Sequence, residues 1–185
     1  MTRRENDHYP TPPAAVDELL KELNPAWGYV CDPAAGDGAL LDAALAEYTP
    51  ERGYLAIEVD RAHKPPHYVL YADYLTLPPS AEPPALFICN PPYALAQEFV
   101  TKMLAERGPD TIVAALLRLG FLGSRKRHEW WKENHPHAIR ILSKRPSFTG
   151  DGKTDNSEYM WAIWFGRPSA DNPRPRPLWW YAGGA

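Results

Sequence analysis

Four short stretches of this 185-residue chain carry side chains suited to chemistry on a planar amine. The sharpest is Phe87-Ile88-Cys89-Asn90-Pro91-Pro92-Tyr93, an apolar run that delivers an amide, two prolines and an aromatic ring. Consecutive prolines fix the backbone and remove two N–H donors, so carbonyls are the polar groups left to face a ligand. The Asn90 side-chain oxygen and a carbonyl of the proline pair can accept both hydrogens of an –NH2 group. That draws the nitrogen toward tetrahedral geometry and frees its lone pair. Tyr93 can hold a flat substrate by stacking. A proline-rich turn after a buried strand is the plainer use of the same residues.

The other three stretches come earlier. Asp32-Pro33-Ala34-Ala35-Gly36-Asp37-Gly38 has glycines placed so that the backbone can approach a ligand and turn sharply into a helix. It lacks the Lys-Ser/Thr of a triphosphate loop and departs from the G-x-G-x-x-G spacing of dinucleotide sites. Glu58, with Asp60 nearby, follows about 20 residues later, where a carboxylate can accept from both hydroxyls of a ribose. Asp73 comes after the next strand, placed to accept from the exocyclic amine of an adenine. A tight turn and two solvated acids are the alternatives when each is taken singly. Together the three fall at the carboxyl edge of one sheet, where such folds bind ligands.

The elements that must position them can be read from apolar spacing. Val16, Leu19, Leu20 and Leu23 predict a helix that Thr11-Pro12-Pro13 can cap and start and Asn24-Pro25 stops. Strands are predicted over 29–31, 54–59, 67–71, 85–89 and 111–119. Leu41, Ala44, Leu45 and Tyr48 mark a second helix, and Phe99, Val100, Met103 and Leu104 a third, closed by Gly108. Helices alternating with short buried strands imply an α/β fold, a mostly parallel sheet with helices on both faces. Residues 138–142 and 159–165 predict a carboxy-terminal antiparallel hairpin around the polar loop 147–157. One domain is expected over 1–167, followed by an extended Pro/Trp-rich tail over 168–185.

The series Tyr9-Pro10-Thr11-Pro12, Asp32 to Gly38, Tyr54-Leu55-Ala56-Ile57-Glu58-Val59-Asp60 and Asn90-Pro91-Pro92-Tyr93 resembles the class I S-adenosylmethionine-dependent methyltransferases. More narrowly, it is similar to amino-methylating DNA adenine N6 methyltransferases, especially the small phage and prophage forms. Arg145 to Asp155, followed by Glu158-Tyr159-Met160-Trp161, resembles the carboxy-terminal hairpin of those enzymes. The resemblance implies a Rossmann-like fold and S-adenosylmethionine as cofactor. It implies Tyr9, Thr11, Asp32, Ala34, Gly36, Asp37 and Gly38 around the amino-acid end of the donor, Glu58 on the ribose and Asp73 on the adenine. Asn90, Pro91 and Pro92 would orient the target amine, Tyr93 would stack on the base, and Phe148 would form an opposing wall. A neutral amide at Asn90, where relatives often carry Asp, implies orientation and in-line placement rather than proton abstraction. Enzymes acting on guanine N2 in RNA or on a protein glutamine share the Asn-Pro-Pro-Tyr motif. They are the alternative reading, together with a catalytically silent binding subunit.

Composition narrows the class. With 44% apolar and 23% charged residues the chain can fill a core without staples. Cys31 and Cys89 lie in apolar runs and read as buried free thiols of a reducing compartment. There is no run of about 18 apolar residues and the start lacks a signal peptide, so a cytoplasmic protein without a membrane partner is expected. No His/Cys/Asp/Glu spacing calls for a metal. The net charge of −3 is unevenly spread, with 6 Lys/Arg against 15 Asp/Glu in residues 1–100 and 14 against 8 in 101–185. A basic half suits a polyanion. Arg125, Lys126, Arg127 and Lys132, with Lys144, Arg145 and Lys153, are the expected nucleic-acid contacts, and Trp130 and Trp131 could wedge or stack. A packed amphipathic helix is the alternative for the tryptophans. A paired base must be flipped out to be reached, so double-stranded DNA with one base extruded is the expected partner, with RNA the alternative. With no room here for a separate recognition domain, a short site or relaxed specificity is expected.

Overall fold

A computed structural model describes residues 10–25, 28–50, 52–148 and 155–166. Tyr9, Lys153 and the expected tail lie outside them. Seven strands form one sheet: β1 Val30–Asp32, β2 Tyr54–Glu58, β3 Val69–Tyr71, β4 Leu86–Cys89, β5 Ile112–Arg118, β6 Ala138–Ile141 and β7 Tyr159–Phe165. Their order is β3-β2-β1-β4-β5-β7-β6. The first five are parallel, and β7 runs antiparallel to both β5 and β6. The chain steps outward from β1 to β3, then returns to lay β4 on the other side of β1. That reversal is the switch point at which open α/β sheets leave a crevice.

The parity of the strand residues explains the two layers. Val30, Ala56, Leu86, Ile88, Ala114 and Leu116 pack with Leu19 and Leu20 of α1 (Asp17–Glu22) and Leu40, Leu41 and Ala44 of α2 (Ala39–Glu47). Their neighbours Cys31, Ile57, Phe87, Cys89, Val113 and Leu117 pack with Phe99, Val100 and Met103 of α3 (Ala96–Glu106) and Trp131 of α4 (His128–Glu133). Alternate side chains of a strand point to opposite faces, so strands covered on both sides are apolar at almost every position. Each fully buried Leu, Ile or Phe contributes about 1.5–3 kcal/mol. Both cysteines are free and buried. Among the described residues no helix is long and apolar enough to cross a membrane.

One local expectation changes. Thr11 does not cap a helix: a 3-10 turn over Pro13–Ala15 precedes α1, and no side chain caps either. The Thr11 hydroxyl is engaged elsewhere, with Asn90. No helix links β2 to β3. Pro65-Pro66 in that short connection forbids one, and it folds instead as a strap over the glycine turn.

Candidate active site

The crevice at the switch point is a cavity of about 260 Å³. Asp32 ends β1, Glu58 ends β2, and Asn90 follows β4, so three strands deliver their polar residues to its wall. Between β1 and α2, Gly36 and Gly38 adopt φ of 52° and 88°, a left-handed region that glycine enters without cost. A Cβ on Gly38 would stand 3.1 Å from Pro65 Cβ, so the strap needs glycine there. Asp37 Oδ1 lies 2.8 Å from His63 Nδ1 of the strap, and Asp42 Oδ1 lies 2.5 Å from His67 Nε2.

The acids are held by backbone donors. Glu58 Oε2 accepts from Gly36 N–H at 2.8 Å and Oε1 from Asp60 N–H at 2.7 Å. Each oxygen keeps a second acceptor position, because a carboxylate offers about four. Asp32 Oδ1 accepts from Ala34 N–H at 3.1 Å. Burial raises its pKa to about 7, against the Ala34 hydrogen bond and with the Glu58 charge adding to the rise. Asp73 Oδ1 accepts from Leu75 N–H at 2.9 Å, closing the turn Tyr74–Thr76 that carries it to the cavity wall. Tyr74 is buried beneath that wall and donates to Glu106 Oε2 of α3 at 2.9 Å.

On the other side, Asn90 Nδ2 donates to Thr11 Oγ1 at 3.1 Å. In this orientation the amide nitrogen serves Thr11 and the oxygen is the acceptor end. Pro92 lines the cavity, and Pro91 is buried. Tyr93 stands at the start of the turn leading into α3. The Arg118 guanidinium lies over the Tyr93 ring, 3.8 Å from its centroid, so one face of the expected stacking ring is already covered. The Tyr93 hydroxyl is 2.6 Å from that of Tyr159, which donates to Asp155 Oδ2 at 2.6 Å and accepts from Arg118 Nε at 3.1 Å. With the Tyr159 proton spent on Asp155, Tyr93 is the donor in the shared bond.

Of the expected residues, Thr11, Asp32, Ala34, Gly36, Asp37, Glu58, Asp73, Asn90 and Pro92 line the one cavity, with Gly38 in the turn behind. Others are placed differently. Phe148 is 5% exposed with its ring 5.2 Å from that of Tyr159, so it is a core residue rather than a wall for a base. Trp131 is fully buried, and Trp130 donates to Thr101 Oγ1 at 2.8 Å and packs on Phe121. Both tryptophans therefore secure α4 to the sheet rather than wedge into a duplex. Arg127 folds over the Phe121 ring and donates to Phe121 O at 2.8 Å, which takes its charge out of an open basic face. Lys132 pairs with Glu129, and Arg145 with Glu158. Arg125, Lys126 and Lys144 are exposed, the first two in the segment after β5, beyond the cavity's edge of the sheet. Tyr9 and Lys153 lie outside the described residues. Sequence reasoning passed over Arg118 and His63. The signal for Arg118 was its position as the last residue of β5, level with the polar residues that end β1 and β2.

No protein-family model and no curated protein sequence matches the chain. Solved structures do. A protein provisionally assigned as the modification subunit of a type I restriction enzyme from Vibrio vulnificus superposes with a TM-score of 0.70 at 16% identity over 91% of this chain. A provisionally assigned class I S-adenosylmethionine-dependent methyltransferase from Listeria monocytogenes gives 0.67 at 17% over 95%. A provisionally assigned RNA methyltransferase from Pyrococcus horikoshii gives 0.63 at 16% over 90%. The chain spans 46%, 66% and 92% of these proteins' own lengths, respectively. These likenesses establish the Rossmann-like fold of class I methyltransferases.

Proposed function

We propose that the chain is an S-adenosylmethionine-dependent methyltransferase acting on the N6 amine of adenine in DNA. The observation that carries this reading is the convergence of Asn90, clamped by Thr11, with Asp32, Glu58 and Asp73 on one cavity. The three acids suit the three donor groups of S-adenosylmethionine: Asp32 its ammonium, Glu58 its ribose diol and Asp73 its adenine amine. Gly36 and Gly38 leave two positions of the β1–α2 turn without a side chain, so the donor's amino-acid end can approach the backbone there. Bound there, the donor supplies an electrophilic methyl group on a sulfonium sulfur.

The chain's own part is orientation. Asn90 Oδ1 and the Pro91 carbonyl accept the two amine hydrogens, which turns the nitrogen lone pair out of conjugation and toward the methyl group. The donor would supply the methyl group to that nitrogen and leave as the thioether, and the surplus amine proton would pass to water. Asn90 takes no proton. Tyr93 holds the extruded base by stacking. Arg125, Lys126 and Lys144 supply phosphate contacts, the excess of cations in residues 101–185 supports a polyanionic substrate, and a short or relaxed recognition site fits the small set of groups that could read sequence. The restriction modification subunit among the structural neighbours favours DNA. The buried free thiols fit a reducing cytoplasm.

Incubation of the chain with methyl-labelled donor and unmethylated duplex DNA, single-stranded DNA or bulk RNA tests this. Label in DNA is expected. Label in RNA alone would move the substrate to RNA, and donor binding without transfer to any nucleic acid would remove the reading.

A further inference from the structure

The covered face of Tyr93 points to a residue outside the donor and amine contacts. Arg118 is the last residue of β5 and pairs in register with Tyr159 of the antiparallel β7. Its Nη2 donates to Asp155 Oδ2 at 3.2 Å and its Nε to the Tyr159 hydroxyl at 3.1 Å. The guanidinium is thus held at two nitrogens of one edge while its Cζ lies over the Tyr93 ring, 3.8 Å from the centroid. Tyr93 is fixed in turn at its hydroxyl by Tyr159 and on one face by Arg118. Resting on the reading of Asn90-Pro91-Pro92-Tyr93 as the acceptor site, we propose that Arg118 is a positioning residue. It sets the plane of the Tyr93 ring, and so the plane in which the target base meets Asn90.

Three features favour this over a purely structural role. The Arg118 side chain is 39% exposed and that of Asp155 18%, so solvent partly screens the pair and discounts its contribution to stability. A planar, weakly hydrated guanidinium can lie flat on a ring and still use its edge donors, which an ammonium cannot do. The Asp155 carboxylate offsets its charge, so the group acts as an anchored plane more than as a phosphate clamp. A stacked ring free to tilt would carry the base with it, and small displacements of a reacting atom have large effects on rate.

The test compares wild type with Arg118→Ala, Arg118→Lys and Asp155→Asn. For each, donor affinity and site number are measured by calorimetry with S-adenosylmethionine, and KM and kcat for duplex DNA are determined per titrated donor site. Arg118→Ala and Arg118→Lys should bind donor and DNA within about twofold of wild type and lose about tenfold or more in kcat. Asp155→Asn should show a smaller loss of the same kind. Lysine failing to rescue would identify the plane, not the charge, as what matters. Full kcat in Arg118→Ala, restoration by Arg118→Lys, or a loss confined to donor binding would each overturn the proposal while leaving the methyltransferase reading in place. Absence of transfer by wild type would overturn both, and is distinguished by the wild-type arm alone.

Discussion

Burial at the end of β1, with the Glu58 charge adding to it, keeps a proton on Asp32 up to about pH 7. An unfolded aspartate ionises near 4. Between these values the folded, donor-free chain holds a proton that the unfolded chain releases, so rising pH removes stability through this group. A bound ammonium reverses the preference, because it favours the ionised carboxylate. Donor affinity should therefore rise with pH between 5.5 and 7, approaching tenfold per unit, and Asp32→Asn should weaken binding and abolish the slope. Calorimetric titration with S-adenosylmethionine at pH 5.5, 6.2 and 7 measures it, and an equal slope in Asp32→Asn would assign the titration to another group. Asp32, Glu58 and Asn90 were legible as residue types because each follows an apolar strand. Their clamps were not: Thr11 reaches Asn90 across 79 positions and Gly36 reaches Glu58 across 22.

Among the elements, the β1–α2 turn and the strap over it work as one part. Gly38 is tested by substitution with alanine, which meets both a left-handed φ of 88° and the Pro65 ring. The backbone term alone costs about 1–2 kcal/mol. Gly53, at φ 76° with open space around its added Cβ, is the control that carries the backbone term without the contact. Gly38→Ala should lower the Tm by roughly 3–6 °C and weaken donor binding, while Gly53→Ala lowers the Tm and leaves donor binding intact. Equal donor affinity in both would contradict the strap's part in shaping the site. The strands and helices were readable from apolar spacing because burial on two faces or one stripe writes that spacing into the chain. Phe148, Trp130 and Trp131 were not decidable from spacing, since an aromatic beside polar residues reads alike as a wall or as core. Arg118 could be placed at the end of β5 from the sequence, but its partner was visible only through the β5–β7 register, which brings it beside Tyr159 across 41 positions.

At the scale of the whole molecule, acidic residues dominate the half that builds the donor side, and cations the half that follows Asn90-Pro91-Pro92-Tyr93. Several of those cations are spent within the fold, Arg127 on Phe121 and Arg118 on Tyr93 and Asp155. Arg125, Lys126 and Lys144 are exposed, and they are the charges proposed to meet phosphate. The fold shared with the structural neighbours does not by itself choose a substrate, because one fold serves many. The choice rests on the role proposed for Asn90. The direct measurement is mass spectrometry of the nucleosides released from DNA after incubation with S-adenosylmethionine and either wild type or Asn90→Ala. N6-methyladenine from wild type, falling at least about a hundredfold with Asn90→Ala while donor affinity is kept, is the predicted result. Methylation at another position, or unchanged N6-methyladenine from Asn90→Ala, would contradict it.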